Sequence, residues 1–300
     1  MHTSVPPGIF HGLRSTFRSP NMPALLRRSY GRIVRPRLAI QYSHRELFLG
    51  RSGIEFGGPS EIFSSKGLFP IYPLVHRLDN CTFSSQTIWQ TAGGGDTGFN
   101  PDGRRRLGNQ LFAEATALPF LASGTQDFVI SSHMLEHCAN PIKALHEWKR
   151  LLKSDGILLL VLPHKDGTFD HNRPATTLSH MLDDFAQNTD ETDLSHVPEI
   201  LELHDLALDP GAGDRERFRA RCLSNAVNRG MHHHVFDTRA ALELVMQVGF
   251  LLCAVEAALP FHIAIIACNT TATHAHDRDF LRADAEHFRR SPFPSDRPAG

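Results

Sequence analysis

Cysteines are few in this chain and never closely paired. Cys81, Cys138, Cys222, Cys253 and Cys268 are odd in number, far apart and nowhere spaced Cys-x-x-Cys. That excludes a disulfide scaffold and a cysteine-based zinc module, and points to reduced thiols in a reducing compartment. A long apolar run is also missing. The most apolar stretch, Val248 to Cys268, is broken by Glu256, Pro260 and His262, so it reads as two strands and a turn rather than a membrane span. Net charge is nearly absent: 31 Lys and Arg against 32 Asp and Glu give −1. The whole chain therefore has no general attraction to nucleic acid or an anionic membrane.

Two local absences are sharper. Before Glu46 there is no acidic residue, while Arg14, Arg18, Arg27, Arg28, Arg32, Arg35, Arg37 and Arg45 are all basic. Residues 1–45 thus read as a basic arm packing on the domain or on phosphate, or as a mitochondrial targeting segment, although Pro6, Pro7, Pro20 and Pro23 interrupt helical periodicity. The cysteine pattern favours the cytoplasm, with the mitochondrion as the alternative. From Pro174 to Asp214 there is no Lys or Arg but there are ten carboxylates, and Arg215, Arg217, Arg219 and Arg221 follow at once. Such blocks close on each other, cap a site or form solvated faces. The polar stretch from Thr270 to Gly300 reads as a disordered tail.

What is present is 300 residues, 41% hydrophobic and 21% charged, enough for a sizeable core. Gly53 to Phe56 is a short strand running into Gly57-Gly58-Pro59-Ser60, and Gln126 to Ile130 is a buried strand. Asn140 to Lys153 has helical spacing, with Asn140 placed to cap it and Pro141 at its first position. Asp155-Gly156 ends that helix, and Ile157 to Leu162 is wholly apolar, as in the centre of a covered parallel sheet. Asp237-Thr238 starts a further helix over Arg239 to Val248. This alternation predicts an α/β fold with a doubly wound, Rossmann-like sheet.

In such sheets ligands bind beyond the carboxyl ends of the strands. The residues there are Glu55 to Ser60, Asp79 near a second strand's end, Glu114-Ala115-Thr116, and Ser131 to His137. The run Asp127-x-Val129-x-Ser131 followed by Leu135-Glu136-His137, then Trp148 to Lys153, Asp155-Gly156 and the apolar strand, resembles class I S-adenosylmethionine-dependent methyltransferases of the small-molecule, type 11-like branch. The resemblance spans roughly Gly53 to Cys268. Leu152-Lys153-Ser154-Asp155-Gly156 stands where the family reads L-K-P-G-G, and Glu55-x-Gly57-Gly58-Pro59-Ser60 where it reads E/D-x-G-x-G-x-G. Pro59 removes one backbone N–H from that turn. It also prompts the alternative of a non-catalytic methyltransferase-like binding or scaffold protein.

The resemblance implies S-adenosyl-L-methionine as cofactor. Glu55, Gly57 and Gly58 would line its methionine part, Asp79 its ribose, and Glu114, Ala115 and Thr116 its adenine; Ser131 to His133 would close over the sulfonium. Methyl transfer to a hydroxyl needs alignment and a base. His164, directly after the apolar strand, is the first choice for that base and His133 the second. His133-x-x-Glu136-His137 also matches an inverted zincin string, but it starts at a strand end, where peptidase chemistry is not expected. No metal is assigned. Of His232, His233 and His234, one or two should line the acceptor pocket and the rest be exposed.

Residues 165–231 are too many for a loop of this fold and read as an inserted helical cap, with apolar periodicity over Thr177 to Ala186 and Pro198 to Leu206 and a turn at Asp209 to Gly213. The organisation expected is a 1–45 arm, a 46–269 methyltransferase domain carrying that cap, and a 270–300 tail. The acceptor expected is a small molecule, such as a sugar or glycan precursor or an aromatic or polyketide metabolite. No nucleic-acid partner and no membrane span are expected, and the oligomeric state is open.

Overall fold

A computed structural model of the chain describes residues 37–84, 98–270 and 277–297. Most of the basic arm therefore lies outside the described residues. Helix α1 (Ala39–His44) leads to strands β1 (Ser52–Phe56), β2 (Arg77–Thr82), β3 (Gly98–Phe99), β4 (Gly108–Phe112) and β5 (Gln126–Ser132). Helix α2 (Pro141–Leu151) and strand β6 (Leu152–Pro163) follow, then helices α3 (Leu178–Gln187), α4 (Val197–Leu203), α5 (Arg215–Leu223), α6 (Asn225–Asn228) and α7 (Thr238–Gln247). Strands β7 (Leu251–Ala258) and β8 (His262–Asn269) and helix α8 (Glu286–Arg290) complete the described elements.

The strands form one sheet in the order β3-β4-β2-β1-β5-β6-β8-β7. β4, β2, β1, β5 and β6 are mutually parallel, whereas β8 runs antiparallel to both β6 and β7. Side chains alternate across the sheet as strand geometry requires. In β6, Leu158, Leu160 and Leu162 join α2 and α7 in one core, while Ile157, Leu159 and Val161 face a second core with Phe48, Phe63, Phe69 and Tyr72. The apolar run at 157–162 is thus explained by burial on both faces. The second face is covered partly by the irregular segment 60–76, not by a full helical layer.

Local chemistry fixes the helix that positions β5 against β6. Asn140 accepts from Lys143 N at 3.0 Å, Pro141 occupies the first turn, and Trp148 stacks on Phe56 of β1 at 4.6 Å. The helix ends earlier than the sequence suggests, at Leu151, because Leu152 already pairs with Gln126 as part of β6; Asp155, at φ 59, lies within that strand.

The described end of the basic segment packs on the domain: Leu38 is buried and Ile40 N donates to Glu256 of β7 at 3.0 Å. One further expectation is corrected. The tail is not disordered over 277–297. Phe288 and Phe293 are buried, and Asp296 accepts from Thr238 N, Thr238 Oγ1 and Ser291 Oγ. The cap insertion is helical and has its own small core of Val197, Ile200, Ala212, Phe218, Cys222 and Met231.

Candidate active site

The turn after β1 is shaped from below. Gly57 has φ +81, a region that favours glycine, and a Cβ there would lie 2.7 Å from Met134 on the loop after β5. A Cβ on Gly58 would fall 2.3 Å from the Glu55 carboxyl carbon. Glu55 is fully buried beneath the turn, accepting from Ser60 N at 3.1 Å and from Tyr72 Oη at 3.0 Å. Burial pushes its carboxyl up to about 8, against the lowering effect of Tyr72 and Ser60. Asn80 clamps the turn from β2, accepting from Gly58 N at 3.0 Å and donating to Gly58 O at 2.9 Å. The turn's donors at Gly57, Gly58 and Ser60 are thus all engaged by protein, Gly57 N by Cys81 O.

Of the remaining residues implied by the resemblance, Asp79 does not stand at the strand end expected for it. Asp79 is the third residue of β2, and its carboxylate accepts from Asn109 N at 2.7 Å and from Arg77 at 3.0 Å. Glu114 pairs with Arg229 of the insertion at 2.7 Å; burial raises its carboxyl, opposed by Arg229. Ala115 O accepts from Trp148 Nε1, and Thr116 is half-buried in the same turn. Ser131 is buried and donates to Phe56 O at 3.1 Å, tying β5 to β1.

His164 is fully buried. Its Nε2 is 3.1 Å from Asp296, its Nδ1 accepts from Asp166 N at 3.2 Å, and its ring stacks on Phe293 at 4.0 Å. With both nitrogens engaged inside the protein, it anchors the C-terminal segment. His171 and His204 likewise pair with separate carboxylates, Asp205 at 3.0 Å and Asp209 at 3.3 Å.

His133 lies where the edge is richest in imidazoles. It takes φ 53 at the end of β5, uncommon for a side chain other than glycine. Its Nε2 sits 2.9 Å from His262 Nδ1 at the start of antiparallel β8. Burial, then His262, His232 and His137, hold its pKa well below the usual histidine value; burial alone lowers His262 to about 4. Next to these neutral rings is a charged set. His232 Nδ1 is 2.6 Å from Asp170, whose other oxygen accepts from Arg173 at 3.0 Å. Burial would lower His232 and raise Asp170, but their mutual attraction reverses both. Glu136 is buried beside His137, its carboxyl pushed by burial up to about 7, and its Oε2 has no partner. None of His232, His233 and His234 is exposed, contrary to the sequence expectation. His262 and Asn80 were not anticipated. Asn80 could have been found by noting that it stands directly opposite Glu55 once β1 and β2 pair.

Residues 101–160 match the methyltransferase domain family. No curated protein matches the chain. Solved structures similar in fold include a SAM-dependent methyltransferase from Aquifex aeolicus, 12% identical, covering 77% of this chain and 90% of that one at a TM-score of 0.42. Another is a SAM-dependent methyltransferase from Methanosarcina mazei, 14% identical, covering 79% and 100% at 0.43. A third, from Mesorhizobium loti, is 12% identical and covers 76% and 96% at 0.42. The matched segment runs from the β3–β4 connection into β6, inside a doubly wound sheet with paired glycines after its first strand. What the chain shares with that family is the matched segment, residues 101–160. Among the described residues, no helix is long and apolar enough to cross a membrane.

The turn fits the S-adenosylmethionine that the resemblance implies in one respect: glycine is required at 57 by φ and at 58 by the Glu55 carboxylate, which leaves bare backbone at the strand end.

Proposed function

We propose that the protein methylates a hydroxyl of a small molecule bound beside His133, with the cofactor held between the Gly57–Gly58 turn, the end of β2 and the Glu114–Thr116 turn. The cofactor supplies an activated methyl group. Alignment and proton removal fall to the protein. The observation that carries the reading is the His133–His262 pair at 2.9 Å on the carboxyl edge of the sheet. Donation from His133 Nε2 to His262 Nδ1 leaves His133 Nδ1 as the nitrogen that takes the proton. Held neutral by burial and neighbouring imidazoles, His133 is in base form at neutral pH. His262 is a positioning residue. The charged His232–Asp170–Arg173 set orients polar groups of the acceptor. A sugar or glycan precursor, or an aromatic or polyketide metabolite, offers such groups.

The test is calorimetric titration with S-adenosylmethionine followed by turnover on metabolite pools with labelled cofactor. His133→Ala should slow turnover about 100-fold or more, the range for a lost general base, while cofactor affinity stays within about twofold. His262→Ala should slow turnover less and shift the pH profile. Absence of saturable cofactor binding by the wild-type chain defeats the enzyme reading and favours a binding or scaffold role. Full turnover by His133→Ala defeats the assignment of the base.

A further inference from the structure

Where the insertion meets the segment before α7, three imidazoles and a carboxylate converge, and the methyl-transfer reading uses none of them. His180 and Asp184 stand four residues apart on one face of α3, His196 immediately precedes α4, and His234 lies in the extended segment before α7. His180 Nε2 is 3.3 Å from Asp184 Oδ2 and 3.1 Å from His196 Nε2, and His234 Nε2 is 3.8 Å from Asp184 Oδ2. We propose that His180, Asp184 and His234 form a binding site for a transition-metal cation of the zinc class, with His196 within reach as a further donor.

Three observations carry this. Bonds of about 2.0–2.1 Å from zinc to nitrogen or oxygen place tetrahedral ligand atoms about 3.3 Å apart, close to the spacings seen here. Buried Asp184 Oδ2 and buried His234 Nδ1 have no hydrogen-bond partner, which is costly unless something else occupies them. His234 Nε2 lies 3.2 Å from Ala139 O, a backbone contact of the kind that orients a metal-ligating imidazole, which leaves the unpartnered Nδ1 as the nitrogen for the ion. Imidazole with one carboxylate selects zinc-like ions over magnesium or calcium, which prefer all-oxygen sites. The His180 side chain is 41% exposed, so an ion has a path in. Because the ligands come from the insertion and from the segment leading into α7, the ion would fasten the cap to the sheet domain. A second set, Asp193, His196 and His233, adjoins through the His180–His196 contact, with His233 Nε2 held by Asn225 at 2.9 Å.

The test uses the untagged full chain, stripped with a chelator and titrated with Co2+ and then Zn2+. The expected result is a saturable, intense visible absorption of tetrahedral Co2+ with at least one equivalent per chain, bleached by Zn2+, unaffected by Mg2+ or Ca2+, and accompanied by a higher melting temperature. His180→Ala and Asp184→Asn should weaken binding at least 100-fold, whereas His137→Ala and His232→Ala should not. His180 is exposed enough that its alanine variant should fold, so a poorly folded His234→Ala would leave the test intact. A weak octahedral spectrum, no saturable binding, or binding that survives His180→Ala and Asp184→Asn together but is lost in His137→Ala overturns the proposal.

Discussion

Replacing Asp296 by Ala should be among the most damaging single changes outside the sheet. Its side chain is 1% exposed, and the carboxylate collects four contacts: His164 Nε2 and Thr238 N at 3.1 Å each, Thr238 Oγ1 at 2.6 Å and Ser291 Oγ at 2.5 Å. At about 1.5–3 kcal/mol for each charge-assisted bond the sum would exceed what one carboxylate can deliver, because the bonds share an acceptor and are not additive. Removing one partner of a buried, hydrogen-bonded pair costs about 3–5 kcal/mol, and we expect a loss near the middle of that range. With a urea dependence of about 2–3 kcal/mol per molar, the unfolding midpoint should fall by roughly 1.5 M. Asp296→Asn keeps one acceptor oxygen but no charge and should lie between. Burial alone would raise the Asp296 carboxyl, yet the His164, Ser291 and Thr238 contacts outweigh it and hold it below the ordinary value. Its stabilisation is therefore complete above the unfolded value of about 3.9 and fades as pH falls through the lower folded value. Urea midpoints by circular dichroism at pH 7 and across the acid range check both statements. A loss under about 1 kcal/mol at pH 7 would refute the anchoring role, since that is the level of an ordinary surface change.

Asn80→Ala frees both Gly58 N and Gly58 O from their clamp, so the turn should lose its shape. With about 1–2 kcal/mol lost, cofactor binding measured by calorimetry should weaken about tenfold; unchanged affinity would mean the clamp does not govern the turn. Glu55 retains its proton in the fold up to about 8, against about 4.3 unfolded. The native state thus binds more protons across that window, and stability should decline as pH rises through it. Glu55→Gln should remove this slope, as read from urea midpoints between pH 5 and 9, and parallel slopes for the two proteins would refute the burial argument.

Strands β1, β5 and β6 and helices α2 and α7 were legible because their signals are local: Asn140 and Asp237 as caps, and an apolar run too continuous for a one-sided strand. The glycine turn was legible for the same reason. His164 misled because the strand-end rule says where a residue is, not which way its ring turns, and here a segment some 130 residues later supplies its partner. That segment looked disordered because its anchors, Phe288, Phe293 and Asp296, are scattered among polar neighbours. The end of α2 was misplaced because sheet pairing at Leu152 overrides a good helical sequence. Asn80 was hidden beside a more conspicuous Asp79, although alternation in β2 sends the two to opposite faces.

The reversed direction of β8 shapes the edge where methyl transfer is proposed. A parallel strand delivers to that edge only the residues at its end, but β8 begins there, pairing His262 with Pro163 where β6 finishes. The tip of the β7–β8 hairpin, Leu259 to Phe261, therefore stands on the same rim as the cofactor turn, with Phe261 against the His133 ring and Pro260 O beneath Gly167 at the mouth of the insertion. Most hairpin tips tolerate changes of length freely. In this protein a residue added at the tip would slide His262 along the rim, so a stretch that looks like plain connecting turn sets the spacing between His262 and His133.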